Sequence, residues 1–383
     1  MRVSRRGAVA PFHVMELLKL AAQRQAARGD VISLCAGQPS TAAPQPVVEA
    51  ARRALGGEVL GYTEATGIRP LREAIAGHYA AYGVSVDPDQ IVVTTGSSGG
   101  FTALFLAAFD AGDTVAMSRP GYPAYRNTLQ ALGVRVVELD CGPQTRYQPT
   151  VAMLEALPEP PAGVIVASPS NPTGTIIDPV ELAAIARWCE AHGAQLVSDE
   201  IYHGISYGRE CATAWAGGRS AALVGSFSKY YSMTGWRVGW LVLPEPLVRP
   251  VELLLGNLNI CAPAVAQAGA VAAFSSAARA ELDGHVARYA ANRDLLLARL
   301  PELGITELAP PDGAFYLYCD VRHLTDDSLA WCPRVLDATG VALTPGVDFD
   351  TAAGGHFVRL SFAGRPEDLH EAVDRLAVFV GST

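Results

Sequence analysis

Short apolar runs alternate with helix-like stretches from about residue 70 to about residue 245, and this alternation restricts the fold more than any other feature. The runs fall at residues 91–95, 114–117, 134–139, 164–167, 195–197, 222–224 and 240–243. Helix-like segments at 101–109, 125–132 and 179–192 lie between them. A run that is apolar throughout must be covered on both faces, and an intervening helix is what lets two strands run parallel. The pattern predicts an α/β fold, a three-layer sandwich whose central sheet is mostly parallel.

After Pro263 the texture changes. Residues 264–300 read as one Ala/Leu/Arg-rich helical region stopped by Pro301, followed by strand-like pieces at 314–318 and 357–362 and a last helix at 366–380. At 383 residues the chain exceeds what one compact core usually holds. We therefore expect a large domain over residues 41–275 and a smaller α/β domain, discontinuous in sequence, from 1–40 and 276–383.

Charge and cysteine usage exclude several classes of partner. The net charge is −9, and no basic tract offsets it, since Arg2, Arg5 and Arg6 form too small a cluster. Nucleic acid and anionic membranes are therefore not expected as partners. Seven cysteines are scattered without a CxxC pair or zinc-ligand spacing, which reads as reduced thiols, mostly buried, with no metal site. Pro11, His13 and Glu16 interrupt the N-terminal apolar stretch, so it is a poor secretory signal, and the apolar run at 103–109 is far shorter than a membrane span. A cytoplasmic location is expected.

In open parallel sheets, ligands bind beyond the carboxyl ends of the strands, and four polar clusters fall there. The first is Thr94-Thr95-Gly96-Ser97-Ser98-Gly99-Gly100, where small residues open a helix and its N–H groups suit a phosphate. It matches neither Walker A nor GxGxxG, which disfavours ATP and NAD; the plain alternative is a tight glycine-rich turn. The second, Ser168-Pro169-Ser170-Asn171-Pro172-Thr173-Gly174, presents Asn171 from a stiff loop. In the third, Ser198-Asp199-Glu200-Ile201-Tyr202, Asp199 ends an apolar strand and is either a helix cap or the partner of a cation. The fourth is Ser226-Phe227-Ser228-Lys229, with Arg237 eight residues on.

Only two of the 29 basic residues are lysine. Lys19 sits in a helical run and reads as solvated. Lys229 ends a strand cluster, and an amine can lose a proton and form a Schiff base where a guanidinium cannot.

Taken in order, these clusters resemble the fold-type I, class I/II aminotransferases, the aspartate aminotransferase-like enzymes that use pyridoxal 5′-phosphate. The resemblance runs from Gly37-Gln38-Pro39 to Arg359-Leu360-Ser361-Phe362. It implies that Lys229 holds the cofactor aldehyde as an internal aldimine, that Asp199 pairs with the pyridinium nitrogen, and that Tyr202 and Asn171 bond the phenolic oxygen. Tyr122 would stack on the ring. Ser97, Ser98, Ser226, Ser228 and Arg237 would hold the phosphate, and Tyr62 would reach the phosphate of a neighbouring subunit, which implies a symmetric homodimer. Arg359, with Asn171 and the backbone near Gly37, would clamp the substrate carboxylate. The implied reaction moves an amino group from an L-amino acid to a 2-oxo acid through pyridoxamine phosphate.

Two stretches depart from the family pattern. Residues 257–263 lack hydroxyl-rich character, and Asp350 stands where glycine is common; both are expected to shape the pocket mouth or the partner's contribution. Phe12, His13 and His203 are expected to pack rather than line the pocket. Two other activities stay open at this point: β-elimination at carbon–sulfur bonds from the same cofactor, and a ligand-sensing module, against which counts the lack of a basic helix-turn-helix segment.

Overall fold

Seven strands form the central sheet of the computed structural model, in the order Ile91–Thr94, Gly239–Val242, Ala222–Ser226, Gln195–Asp199, Gly163–Ala167, Thr114–Arg119, Arg135–Asp140. The structure describes residues 2–57 and 59–382; Met1, Glu58 and Thr383, within the domain spans expected above, lie outside the described residues, as does the side chain of Arg5. Each of the seven apolar runs forms a strand, and the pairs are parallel except those made by Gly239–Val242, which runs antiparallel to both neighbours. Alternate residues feed two cores. Ile165, Val197 and Val224 join one, while Val164, Val166, Leu196 and Leu223 join the other. Burial on both faces is why the strands are apolar at consecutive positions; each such side chain contributes about 1.5–3 kcal/mol.

Local chemistry sets the helix ends. The helix Pro179–His192 starts with Pro179 at its first position, the Asp178 carboxylate accepts from the Val180 amide, and Gly193 closes it at φ 66°. Such a cap is worth about 1 kcal/mol. The single helical region expected over 264–300 is instead two helices, Ala264–Ala272 and Ser276–Arg299. Ser275 causes the break, since its hydroxyl accepts from the Ala278 amide and starts a new helix.

A smaller antiparallel sheet contains Tyr316–Asp320, Phe357–Ser361 and Thr344–Pro345. Its first strand begins two residues later than expected. Gly313 bridges to Ser206 and the Ala314 amide donates to the Ile205 carbonyl, so this segment is bonded to the loop after Asp199 before it can join the sheet. Ile32–Ser33 pairs in parallel with Val341–Ala342 and ties the N-terminal region to the C-terminal third. The N-terminal helix runs His13–Arg28, leaving Lys19 exposed as expected. Among the described residues, no helix is long and apolar enough to cross a membrane.

Candidate active site

The register brings the polar strand ends together, since Ala167 pairs with Asp199 and Asp199 with Val224. Beyond them lies a cavity of about 600 Å³ lined by Gly37, Ser97, Ser98, Tyr122, Asn171, Asp199, Tyr202, Ser228, Lys229, Arg237 and Arg359. Of the expected site residues, only Ser226 and Tyr62 do not line it. Ser226 is buried just beneath, its hydroxyl accepting from the Ser228 amide at 3.0 Å. Tyr62 is 83% exposed and lines a separate crevice with Asn259, Cys261 and Pro263, so the 257–263 segment lies there too.

One end of the cavity is built for an anion. The helix Gly96–Ala108 begins there, with Gly96 at φ 67°, and its first amides include those of Ser97 and Ser98. A Cβ on Gly96 would overlap the Arg237 guanidinium, and one on Gly239 would come within 2.8 Å of the Ser97 nitrogen. Both glycines keep the cradle open to backbone N–H groups and a guanidinium.

Charges of both signs meet in the middle. Asp199 is 4% exposed; its Oδ1 accepts from the Ile201 amide at 2.9 Å and its Oδ2 from the Tyr125 hydroxyl. Burial pushes its carboxyl up to about 6, against the hydrogen bonds from Tyr125 and Ile201 and the charge of Lys229. Burial, and then the Arg359 charge, brings the Lys229 amine down to about 8, partly opposed by Asp199. Its Nζ donates to the Gly37 carbonyl at 2.5 Å and lies 5.8 Å from the centre of the Tyr202 ring. An amine of that acidity exchanges protons near neutral pH.

Arg359 closes the far end. Its Nη1 donates to Asn171 Oδ1 at 2.7 Å and its Nη2 to the Cys35 carbonyl at 2.8 Å, while Nε has no partner. The guanidinium lies 4.4 Å from the Tyr316 ring centre and 4.8 Å from that of Phe349. A fixed fork with an unused donor suits a carboxylate. Tyr202 and Tyr316 share a hydrogen bond of 2.6 Å through their hydroxyls.

Some placements differ from expectation. Phe12 does line the cavity. The Asp348 carboxylate accepts from the amides of His13 and Val14 at 2.8 and 2.7 Å, which docks the helix start, and the Phe12 ring meets Tyr122 edge-on at 5.9 Å. His13 and His203 are not among the lining residues. Asp350 is likewise absent from this cavity; it is buried, bonds the Ala352 and Ala353 amides and pairs with Arg119 at 3.3 Å. Sequence reading missed Tyr125, Tyr316 and the apolar face of Val14, Met15 and Leu18. Tyr125 was findable, because it follows Tyr122 by three residues at a helix start and so shares its face.

Beside Asp199, Glu200 is buried with Oε1 accepting from Ser198, Thr213 and the Ala214 amide, while Oε2 lies unbonded 3.6 Å from His203 Nδ1. Burial raises its carboxyl from 4.5 to about 8 and lowers His203 to about 3, so this pair is neutral rather than ionic. A folded-state value raised above the unfolded one means stability that is full below pH 4.5 and lost as pH rises through about 8. Glu200→Gln, neutral at every pH, is expected to flatten the fall in melting temperature across that window. Thermal melts of both proteins from acid to mildly alkaline buffer check this; parallel curves would place the ionisation elsewhere.

Residues 29–376 match the family of class I and II aminotransferases. The chain belongs to that family. This aminotransferase is 56% identical to the valine–pyruvate aminotransferase of Mycobacterium tuberculosis, over 100% of this chain and 99% of that one. It superimposes on the crystal structure of an aminotransferase from Mycobacterium tuberculosis with a TM-score of 0.98, at 55% identity and full coverage of both chains. On the aspartate aminotransferase from Thermus thermophilus with maleate the TM-score is 0.93, at 33% identity, covering 99% of this chain and 100% of that chain. The protein is a pyridoxal 5′-phosphate-dependent enzyme that moves an amino group between an amino acid and a 2-oxo acid. The cavity of the aminotransferase suits that cofactor in kind: an anion cradle, a buried carboxylate and a buried amine border one space, with Tyr122 as an aromatic wall.

Proposed function

We propose that the enzyme takes amino donors with uncharged, aliphatic side chains and passes the amino group to a small 2-oxo acid such as pyruvate. The observation carrying this is the cavity's charge inventory. Its cationic side chains are Lys229, Arg237 and Arg359; Arg237 lies at the anion cradle and Lys229 is committed to the cofactor aldehyde, so Arg359 alone remains for one carboxylate. Much of the remaining wall is apolar, from Phe12, Val14, Met15, Leu18, Phe101 and Ile201, and the hydroxyls of Thr102, Thr128 and Thr234 carry no charge, so a second carboxylate would be desolvated without a cation to pair it. The M. tuberculosis relative acting on valine and pyruvate agrees with this choice.

In this reading the bound cofactor supplies an aldehyde that takes up the amino group and a ring that accepts an electron pair. Ser97, Ser98, Ser228 and Arg237 hold its phosphate, with Ser226 supporting Ser228. Asp199 keeps a proton on the ring nitrogen, itself oriented by Tyr125. Tyr122 covers one face of the ring, and Asn171 and Tyr202 bond its phenolic oxygen. Arg359 grips the substrate carboxylate through the donors not engaged by Asn171 and Cys35, with the Gly37 backbone alongside. That grip would aim the α-hydrogen at Lys229 Nζ, the base placed to take up and hand on that proton. The docked N-terminal helix, through Phe12, Met15 and Leu18, keeps water from the reacting atoms.

The same reading has the enzyme act as a cytoplasmic homodimer in which Tyr62 serves the partner's anion cradle. Val59, Leu258 and Ile260 are 98%, 55% and 47% exposed in the two segments around Tyr62, an apolar surface that a second copy would cover. The chain then divides into a large domain, 41–275, and a small one, 1–40 with 276–383, with the reaction cavity between them.

A screen of amino donors with pyruvate as acceptor tests the substrate class. Valine and its aliphatic neighbours are expected to exceed aspartate and glutamate in kcat/KM by at least about 100-fold, the cost of burying an unpaired carboxylate. Aspartate turning over as fast as valine would overturn the reading.

A further inference from the structure

The helix His13–Arg28 supplies one wall of the reaction cavity, yet its own sequence gives its first turn nothing to hold it. Phe12 stands at the N-cap and offers no side-chain acceptor to the free amides behind it. The acceptor comes from more than 300 residues away: Asp348 Oδ1 takes the His13 amide at 2.8 Å and Oδ2 the Val14 amide at 2.7 Å. We propose that Asp348 is a positioning residue that sets donor selectivity, by fixing the aliphatic wall against which the donor side chain packs. This role rests on the aliphatic-donor reading above.

The place of Asp348 in the fold explains how its grip reaches the substrate. It ends the turn Gly346–Asp348, directly after the strand Thr344–Pro345, and Thr344 pairs in register with Arg359. Its backbone carbonyl accepts from Arg126 Nη2 at 3.2 Å, and Arg126 belongs to the helix Pro123–Leu132 that follows Tyr122. The carboxylate therefore stands on the same framework as the arginine clamp and the aromatic wall. A negative charge at a helix start is held by the helix dipole as well as by the two amides.

What Asp348 holds faces the cavity. Phe12, Val14, Met15 and Leu18 line that space, the last three on one helical face. The rear of the helix is fixed independently, by Leu17 and Ala21 in the core and by Arg24, which donates to Asp30 and to the Asp337 carbonyl. Ahead of the helix, Asn127 Nδ2 reaches the Ala10 carbonyl at 3.4 Å, a weaker tie than two charge-assisted bonds. Loss of the grip would free the first turn and leave the rest of the helix in place.

Kinetics of the holoenzyme with valine and with alanine read the wall directly, since valine presents two more methyl groups to it. The unmodified enzyme is expected to prefer valine in kcat/KM by at least about ten-fold, the usual worth of such a difference in an apolar pocket. Asp348→Ala should erase that preference, chiefly through a rise in KM for valine. Entry of water alone would slow both donors alike, so the ratio separates a displaced wall from a loosened site.

Should Asp348→Ala not fold, His13→Pro tests the same grip. Proline is tolerated at a helix's first position, and the extended Phe12 before it is compatible, but the amide that meets Oδ1 is gone. With one bond of two removed, the preference should fall about three-fold, halfway on a logarithmic scale. His13→Ala keeps the amide and should keep the preference. His13→Pro matching His13→Ala, or an unmodified enzyme that takes valine and alanine equally well, would overturn the assignment. The donor-class reading fails separately, on aspartate matching valine in the unmodified enzyme; the valine-to-alanine ratio tests Asp348 in either case.

Discussion

With arginine in place of Lys229, the enzyme is expected to retain its fold and lose turnover by at least about 10⁴-fold. The argument rests on what the amine must do rather than on its charge. Burial and the neighbouring Arg359 bring the Lys229 amine down to about 8, so at neutral pH a usable fraction is free base. A guanidinium stays protonated under all these conditions. It can neither attack an aldehyde nor carry a proton away from the α-carbon, yet it preserves the positive charge beside Asp199. Single-turnover spectroscopy with valine, run beside a thermal melt, separates lost chemistry from lost structure. A rate within about tenfold of the unmodified enzyme would remove the amine from the mechanism.

Asp199→Asn is the second large effect, with kcat/KM falling about 10²–10³-fold, as when a preorganised charge in a water-excluded site is removed. Asparagine is nearly isosteric, and its carbonyl can accept from either the Ile201 amide or the Tyr125 hydroxyl, so the loop should hold. What vanishes is the negative charge in a site where burial already makes that charge costly, as its rise to about 6 indicates. A structure tolerates such a charge when a cation or proton is there to meet it. Steady-state kinetics with cofactor content measured in parallel provides the check. A fall of less than about threefold, with cofactor fully bound, would mean that the carboxylate is only a loop cap.

The parts of this fold that were legible are those in which one physical rule acts alone. Strands of the large sheet are buried on both faces, so 91–95 and 195–197 were visible as runs, whereas Tyr316–Asp320 was placed two residues early because Gly313 and Ala314 bond to the loop at 205–206 instead of joining the sheet. A lysine at a strand end in a chain nearly devoid of lysine was equally plain. The failures came where tertiary contacts decide. Ser275 looks like any serine in a helical stretch until its hydroxyl caps Ala278. Phe12 reads as packing because nothing local says that Asp348, more than 300 residues away, docks the helix start and directs the ring into the cavity. Asp350 was noticed as unusual, but it does not line the reaction cavity: it is buried beside Arg119, a contact that sequence proximity to Phe349 and Arg359 does not reveal.

The reversed strand Gly239–Val242 limits how such a molecule can change over generations. Because it returns alongside Ala222–Ser226, the loop joining them starts and finishes at the same edge of the sheet, and both Lys229 and Arg237 ride on it. Connections elsewhere can lengthen at modest entropic cost. An insertion or deletion of one residue here would shift the amine against the anion cradle by about 3 Å, as much as the whole length of a hydrogen bond. Drift can remodel the walls that choose a donor, but the span between these two side chains is locked to the geometry of the sheet.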